Sequence, residues 1–160
     1  MNNLSELYLI RAENELVTAE MLFKISGDPK LQKEQFKVEK DFTFYSSVIS
    51  HSYYCIFNSA KAILAKEGIK TYAPKVHKKT LEAFEQYLVK TGKLDLELLK
   101  IYKKMIVRAE ELLGIFSLEK GKRGQFTYQK LPQANKEPAK ESFDNASLFF
   151  KNVNKIVRKD

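Results

Sequence analysis

Apolar side chains recur at intervals of three and four along most of this chain, and that period decides the class of fold. A helix brings positions i, i+3, i+4 and i+7 to one side, whereas a half-buried strand needs strict alternation. No alternating stretch competes, and no segment repeats another. Helix-ending residues divide the pattern: Gly27, Asp28 and Pro29, then Gly68, then Gly92, with Pro74 and Pro138 suited to the opening turn of a helix.

The spacing predicts a first helix over about residues 4–26, with Asn3 and Glu6 at capping-box separation and Leu7, Ile10, Asn14, Val17, Met21 and Lys24 tracing one edge. Residues 30–41 read as a connecting segment or a short helical turn. A long second helix follows Phe42, Phe44 and Tyr45, aromatics that suggest burial at its start, and stops at Gly68. The third runs from near Pro74 to before Gly92 on Leu81, Phe84 and Leu88. The fourth spans about residues 94–120, with Leu94, Leu98, Ile101, Met105, Leu112 and Ile115 inward and Gly114 tolerated inside. Residues 121–137, with two glycines and a proline, read as a long irregular loop, after which a last helix carries Phe143, Ala146, Phe149, Phe150, Val153 and Val157. The expectation is an all-α protein: one domain over residues 1–160, an antiparallel up-and-down bundle of about five helices.

Composition excludes several classes. With 160 residues, 44% hydrophobic and 12% aromatic, the chain can bury a core without staples, and disorder is excluded despite 30% charged residues. Cys55 is the single cysteine, so no intramolecular disulfide can form. Metal-ligand spacing and cofactor motifs are absent, so no metal and no cofactor are expected. A reducing, cytoplasmic compartment is the natural reading. Glu6, Glu13 and Glu15 interrupt the first apolar positions, unlike a secretory signal, and no apolar run approaches the ~20 residues of a membrane span.

Net charge is +8, from 28 basic and 20 acidic residues. The basic excess gathers around Lys70, Lys75, Lys78 and Lys79, beside His77, and again at Lys120, Lys122, Arg123, Lys130, Lys136 and Lys140. Tyr72, Phe126 and Tyr128 are interspersed as stacking surfaces. Such clusters suit polyanions, although a lysine-rich solvated surface has the same composition. If helices two and four of an antiparallel bundle end together, the two clusters should be neighbours.

The stretch most suggestive of chemistry is residues 51–68. His51, Tyr54, Asn58 and Lys61 fall along one side of the second helix, while Val48, Ser52, Ile56, Ser59 and Ile63 mark a packing face. The first face can wall a binding groove, and it can equally be an ordinary amphipathic surface.

Residues 50–64, SHSYYCIFNSAKAIL, resemble the second-helix signature of HEPN domains (higher eukaryotes and prokaryotes nucleotide-binding), approximately S-[RH]-x-Y-Y-A-x-F-[HN]-x-A-K-A-L-L. The Tyr-Tyr pair, the Phe-Asn step and Ala-Lys-Ala carry the match, and Arg11-Ala12-Glu13 with Ala19-Glu20 looks like the family's first helix. The resemblance implies a helical nucleotide- or RNA-binding domain. It also implies a homodimer, often paired with a minimal nucleotidyltransferase in a toxin–antitoxin module. Many members are metal-independent endoribonucleases using an arginine with a histidine four to six residues further on. Here no arginine precedes His51 or His77 at that spacing, so catalysis by the usual pair is not expected. Arg123-Gly124-Gln125-Phe126-Thr127-Tyr128 resembles an R-x-x-A-D-Y segment of one branch, with Thr127 in place of the acid.

The candidate ligand-binding residues are therefore Arg123, Tyr128, Lys122, Lys61, His51, Tyr54 and Asn58. Arg123 has the planar fork that binds phosphate in two places. Catalytic candidates are Arg123, His51 and Tyr128, in an enzyme alternative that works as a degenerate endoribonuclease. A third reading is a protein-interaction module with Phe149 and Phe150 on an exposed patch. Cys55 reads as a core residue.

Overall fold

The computed structural model describes residues 3–113 and 135–159. The described residues form six helices: α1 (Asn3–Ser26), α2 (Pro29–Phe36), α3 (Tyr45–Lys66), α4 (Val76–Phe84), α5 (Leu96–Leu113) and α6 (Lys136–Val157). A single π-helical turn, Glu85–Val89, continues α4. No strand occurs among the described residues, so the chain is an all-helical bundle.

Local chemistry sets the boundaries. Asp28 caps α2 by accepting from the Leu31 N–H at 2.9 Å, and Pro29 occupies the first turn, where a missing N–H costs nothing. What read as a connecting segment thus contains a two-turn helix. Buried Gln32 locks it down: its amide donates to the carbonyls of Ile25 (2.7 Å) and Phe42 (2.9 Å), and its oxygen accepts from the Phe42 N–H (2.9 Å). Helix α3 ends at Gly68, whose φ of 76° lets Ile69 N–H reach back to the Leu64 carbonyl at 2.8 Å.

Helix α3 is the central element. Val48, Ser52, Ile56, Ser59 and Ile63 are buried, as the spacing predicts. It packs most extensively on α1 and next on α6. The Ser5 hydroxyl donates to the Ala62 carbonyl at 2.7 Å and His51 contacts Glu15, so α1 and α3 are antiparallel. The Cys55 thiol lies 4.0 Å from the Ala146 carbonyl, and Lys66 donates to the Val157 carbonyl at 3.0 Å, so α6 runs parallel to α3. Lys104 and Arg108 of α5 hold Glu141, with Arg108 also reaching the Pro138 carbonyl at 3.0 Å, so α5 is antiparallel to α6. The core holds Tyr53, Phe84, Leu88, Tyr102, Met105, Phe149 and Val153.

The packing of α1 differs from the simplest reading of its pattern. The face it buries is Ser5, Leu9, Ala12, Ala19 and Ser26, while Leu7, Ile10, Val17 and Met21 point outward. Small side chains at intervals of seven let α1 lie close against the serine- and alanine-rich face of α3, and the bulky stripe is left outside. Phe42 is exposed rather than buried at the start of α3. Phe149 is fully buried, so Phe149 and Phe150 do not form an exposed patch.

Of the second basic cluster only Lys136 and Lys140, at the start of α6, are among the described residues; Lys120, Lys122, Arg123 and Lys130 lie outside them. After Gly68 the chain turns back as a loop, so that His77 at the start of α4 lies beside Tyr53 and Phe57 in the middle of α3. Helix α4 then returns towards the end of α3, where Lys93 pairs with Glu67. The loop, rather than a helix, makes one of the reversals, and α5 consequently runs antiparallel to α3. Leu112 of α5 and Ala139 of α6 pack with Val48 and Ile49 near the start of α3, the end away from Lys70.

Candidate functional site

The side chains of the α3 stripe meet a matching row on α1. Because the two helices are antiparallel, Glu15, Arg11 and Tyr8 descend α1 as His51, Tyr54, Asn58 and Lys61 ascend α3. His51 Nδ1 donates to Glu15 Oε2 at 2.5 Å with both side chains about one-third exposed, a hydrogen bond that ties the helices together. Tyr54 makes edge contacts with Tyr53 and Phe57. Asn58 donates to the Tyr54 carbonyl of its own helix at 2.9 Å and so joins no second helix.

Lys61 is the residue on which the site turns. Its Nζ donates to the Thr71 carbonyl at 3.3 Å and sits 4.6 Å from the centre of the Tyr8 ring and 5.7 Å from that of Phe57. Arg11 approaches the same Tyr8 ring at 5.7 Å. These are cation–π contacts, which orient the ammonium without neutralising it. Beside Lys61 opens a pocket of about 150 Å³, lined also by Tyr8, Leu64, Ile69, Lys70 and Tyr72.

On the other side of Lys61, His77 stacks on Phe57 with ring centres 4.3 Å apart, and its Nδ1 lies 2.8 Å from the Tyr53 hydroxyl. Burial, then the repulsion of nearby tyrosines and Glu110, pushes the Tyr53 hydroxyl far above its ordinary pKa, so it keeps its proton and donates it. Burial first, and the Lys61 charge second, lower the pKa of His77. His77 is accordingly neutral at pH 7, accepting at Nδ1 and carrying its proton on Nε2. The loop between α3 and α4 is held by the Thr71 hydroxyl, which donates to Thr80 Oγ1 at 2.7 Å, while Thr80 donates to the Val76 carbonyl at 2.7 Å.

Among the described residues the lysines differ in their ion pairing, and Lys33, Lys37, Lys40, Lys66, Lys90 and Lys151 make none. Along α5 and the turn before it, Lys93, Lys100, Lys103 and Lys104 are held by Glu67, Glu97, Glu85 and Glu141 respectively. Around the pocket, Lys78 pairs with Glu82 at 3.8 Å, whereas Lys61, Lys70, Lys75 and Lys79 make no ion pair among the described residues. The Lys79 ammonium donates only to the Tyr72 carbonyl, at 3.4 Å. Lys61 and Lys70 in one pocket, with Lys79 at the Tyr72 carbonyl beside it, are suited to an anionic ligand.

Of the sequence candidates, Lys61 lines the pocket, Tyr54 and Asn58 continue the same face, and His51 is engaged by Glu15 further along. Arg123, Tyr128 and Lys122 lie outside the described residues. Tyr8, Arg11, Glu15 and the central position of His77 were not among the site residues expected. The α1 row was detectable, because positions 8, 11 and 15 share the three-and-four spacing of the α3 stripe. The place of His77 was not, since its partners are 24 residues away across a reversing loop. Among the described residues no group of histidine, cysteine, aspartate and glutamate side chains is arranged to hold a metal, and no helix is long and apolar enough to cross a membrane. Comparison with protein-family models, with curated proteins and with solved structures returns no match for this chain.

Proposed function

We propose that this protein binds nucleotides or RNA through the surface centred on Lys61. It does so as a non-catalytic HEPN-type domain, dimeric and partnered with a minimal nucleotidyltransferase. One observation carries the anion-binding part: Lys61 and Lys70 line one pocket with Tyr8 and Tyr72, and, with Lys75 and Lys79 following in the loop and α4, they make no ion pair among the described residues. Lysine at such positions acts as a point charge for phosphate, and the exposed ring of Tyr72 offers a face on which a base can stack. The resemblance of residues 50–64 to the HEPN signature supports the family, the dimer and the nucleotidyltransferase partner.

The endoribonuclease alternative needs Arg123 with His51 or Tyr128. No arginine stands four to six residues before His51 or His77, the spacing of the active family members, and this favours the binding reading. The test is incubation of the purified protein with a mixed-sequence structured RNA without metal, beside Lys61→Gln and Arg123→Ala. Salt-sensitive binding weakened by Lys61→Gln, without cleavage, is the expected result. Cleavage abolished by Arg123→Ala would replace the binding reading with the enzymatic one.

A further inference from the structure

Building on the reading of the Lys61 surface as a nucleotide or RNA site, we propose that its pocket takes one unstacked pyrimidine base, whose phosphate is held by Lys61 and Lys70. Size is the first ground. The cavity of about 150 Å³ has the volume that holds a single benzene-sized ring. Pockets that bury a whole drug-sized ligand begin at about 300 Å³, so only one part of a nucleotide enters. A base inside a duplex is stacked on its neighbours and cannot offer its ring, so the ligand is a free nucleotide or a single strand.

The lining is the second ground. Leu4, Leu64, Ala65 and Ile69 make the wall largely apolar, and Tyr8 and Tyr72 belong to it. A phosphate gains nothing from such a wall, whereas a flat ring buries its faces there. Tyr8 is already approached by Lys61 at 4.6 Å, while Tyr72 is 65% exposed and presents its ring to a ligand. The charged groups of the lining, Lys61 and Lys70, are donors only. Lys61 Nζ rests on the carbonyl of Thr71 at 3.3 Å, the residue after Lys70, so both cations serve one stretch of loop. The Thr71 hydroxyl gives its proton to Thr80. Such a set matches phosphate oxygens and the O2 carbonyl that uracil and cytosine share. In a pyrimidine nucleotide the sugar is attached to the six-membered ring itself. A purine seated by its six-membered ring holds its sugar and phosphate one ring further out, away from the two ammonium groups.

Displacement of a short labelled oligouridylate at low salt tests this, with uridine monophosphate, adenosine monophosphate and ribose 5-phosphate as competitors. Uridine monophosphate is expected to compete at least about fivefold better than ribose 5-phosphate, the lower bound for one stacked base, and better than adenosine monophosphate. Tyr72→Ala, at an exposed position, should erase most of the advantage over ribose 5-phosphate and leave ribose 5-phosphate itself unchanged. Direct titration separates the two sources: an oligouridylate bound more tightly than the monophosphate marks a strand, and equal affinity marks the free nucleotide. Equal competition by uridine monophosphate and ribose 5-phosphate would overturn the base pocket and leave the phosphate reading standing. Adenosine monophosphate competing as well as uridine monophosphate would overturn the pyrimidine assignment, as would an advantage that Tyr72→Ala does not reduce. An oligouridylate that does not bind at all would remove both this proposal and the reading on which it rests.

Discussion

Replacing Tyr53 with phenylalanine removes one hydroxyl from a fully buried ring and leaves the aromatic packing with Tyr54, Phe57 and His77 in place. The lost group donates to His77 Nδ1 at 2.8 Å. A net hydrogen bond of this kind contributes about 0.5–1.5 kcal/mol, and His77 is partly solvated, so water can replace the donor and the cost stays near 1 kcal/mol. For a chain of this length that corresponds to roughly 2–4 °C in Tm. The pH dependence is more specific. The folded pKa of His77 lies below its ordinary value of about 6.5. As pH falls, the unfolded chain therefore takes up the proton first, and the stability contributed by neutral His77 is present above about pH 6.5 and lost towards its folded pKa. Protonated His77 cannot accept from Tyr53, so the gap between wild type and Tyr53→Phe should be widest at pH 8 and narrow towards pH 5. Urea unfolding at the two pH values measures it. A gap that is constant or grows in acid would refute the assigned donor direction and the neutral state of His77.

Other outcomes follow from the packing. Gln32→Ala removes the partner of three backbone groups at 2% exposure, and should cost about 1–3 kcal/mol in urea unfolding; a loss under about 0.5 kcal/mol would contradict the clamp. Ala12→Leu inserts bulk where α1 meets α3 and should lower stability by about 1–3 kcal/mol by the same assay, whereas a neutral result would mean that the small-residue contact is loose. Glu141 has its pKa lowered mainly by the hydrogen bond from Lys104, then by Arg108, so its contribution is present above the ordinary carboxylate range and lost as pH falls through the lowered value. Because the pair is solvent-exposed, Glu141→Gln should cost less than about 1 kcal/mol at pH 7 and nothing measurable near pH 2, with the neutral-pH loss reduced by salt.

The packing face of α3 was readable because Val48, Ser52, Ile56, Ser59 and Ile63 both share the helical period and face the core. Leu98 and Met105 of α5 and Ala146, Phe149, Val153 and Val157 of α6 are buried for the same reason, while Ile115 lies outside the described residues. The period misleads on α1, where the bulky stripe is outside and serines and alanines are inside: periodicity reports that a helix has a face, and close packing against another helix can favour small side chains over large ones. The direction of α4 was hidden because helix counting treats every connection as a simple reversal, whereas the segment from Ile69 to Lys75 doubles back along α3. Lys61 stood out in sequence as the cation of a polar stripe; its aromatic cradle of Tyr8 and Phe57 depends on tertiary pairing that no local pattern records.

The central claim is that the lysines near α4 and at the α1–α3 pocket bind phosphates, and the salt dependence of RNA affinity tests it most directly. If Lys61, Lys70, Lys75 and Lys79 each neutralise one phosphate of a single strand, log K should fall with log salt at a slope of at least about −2.8, from 4 × 0.7. Raising salt from about 50 to about 200 mM should then weaken binding roughly fifty-fold. The Lys70→Gln/Lys75→Gln/Lys79→Gln protein should show a slope shallower by about 2.1. Binding that does not respond to salt, or an unchanged slope in the triple variant, would contradict the account.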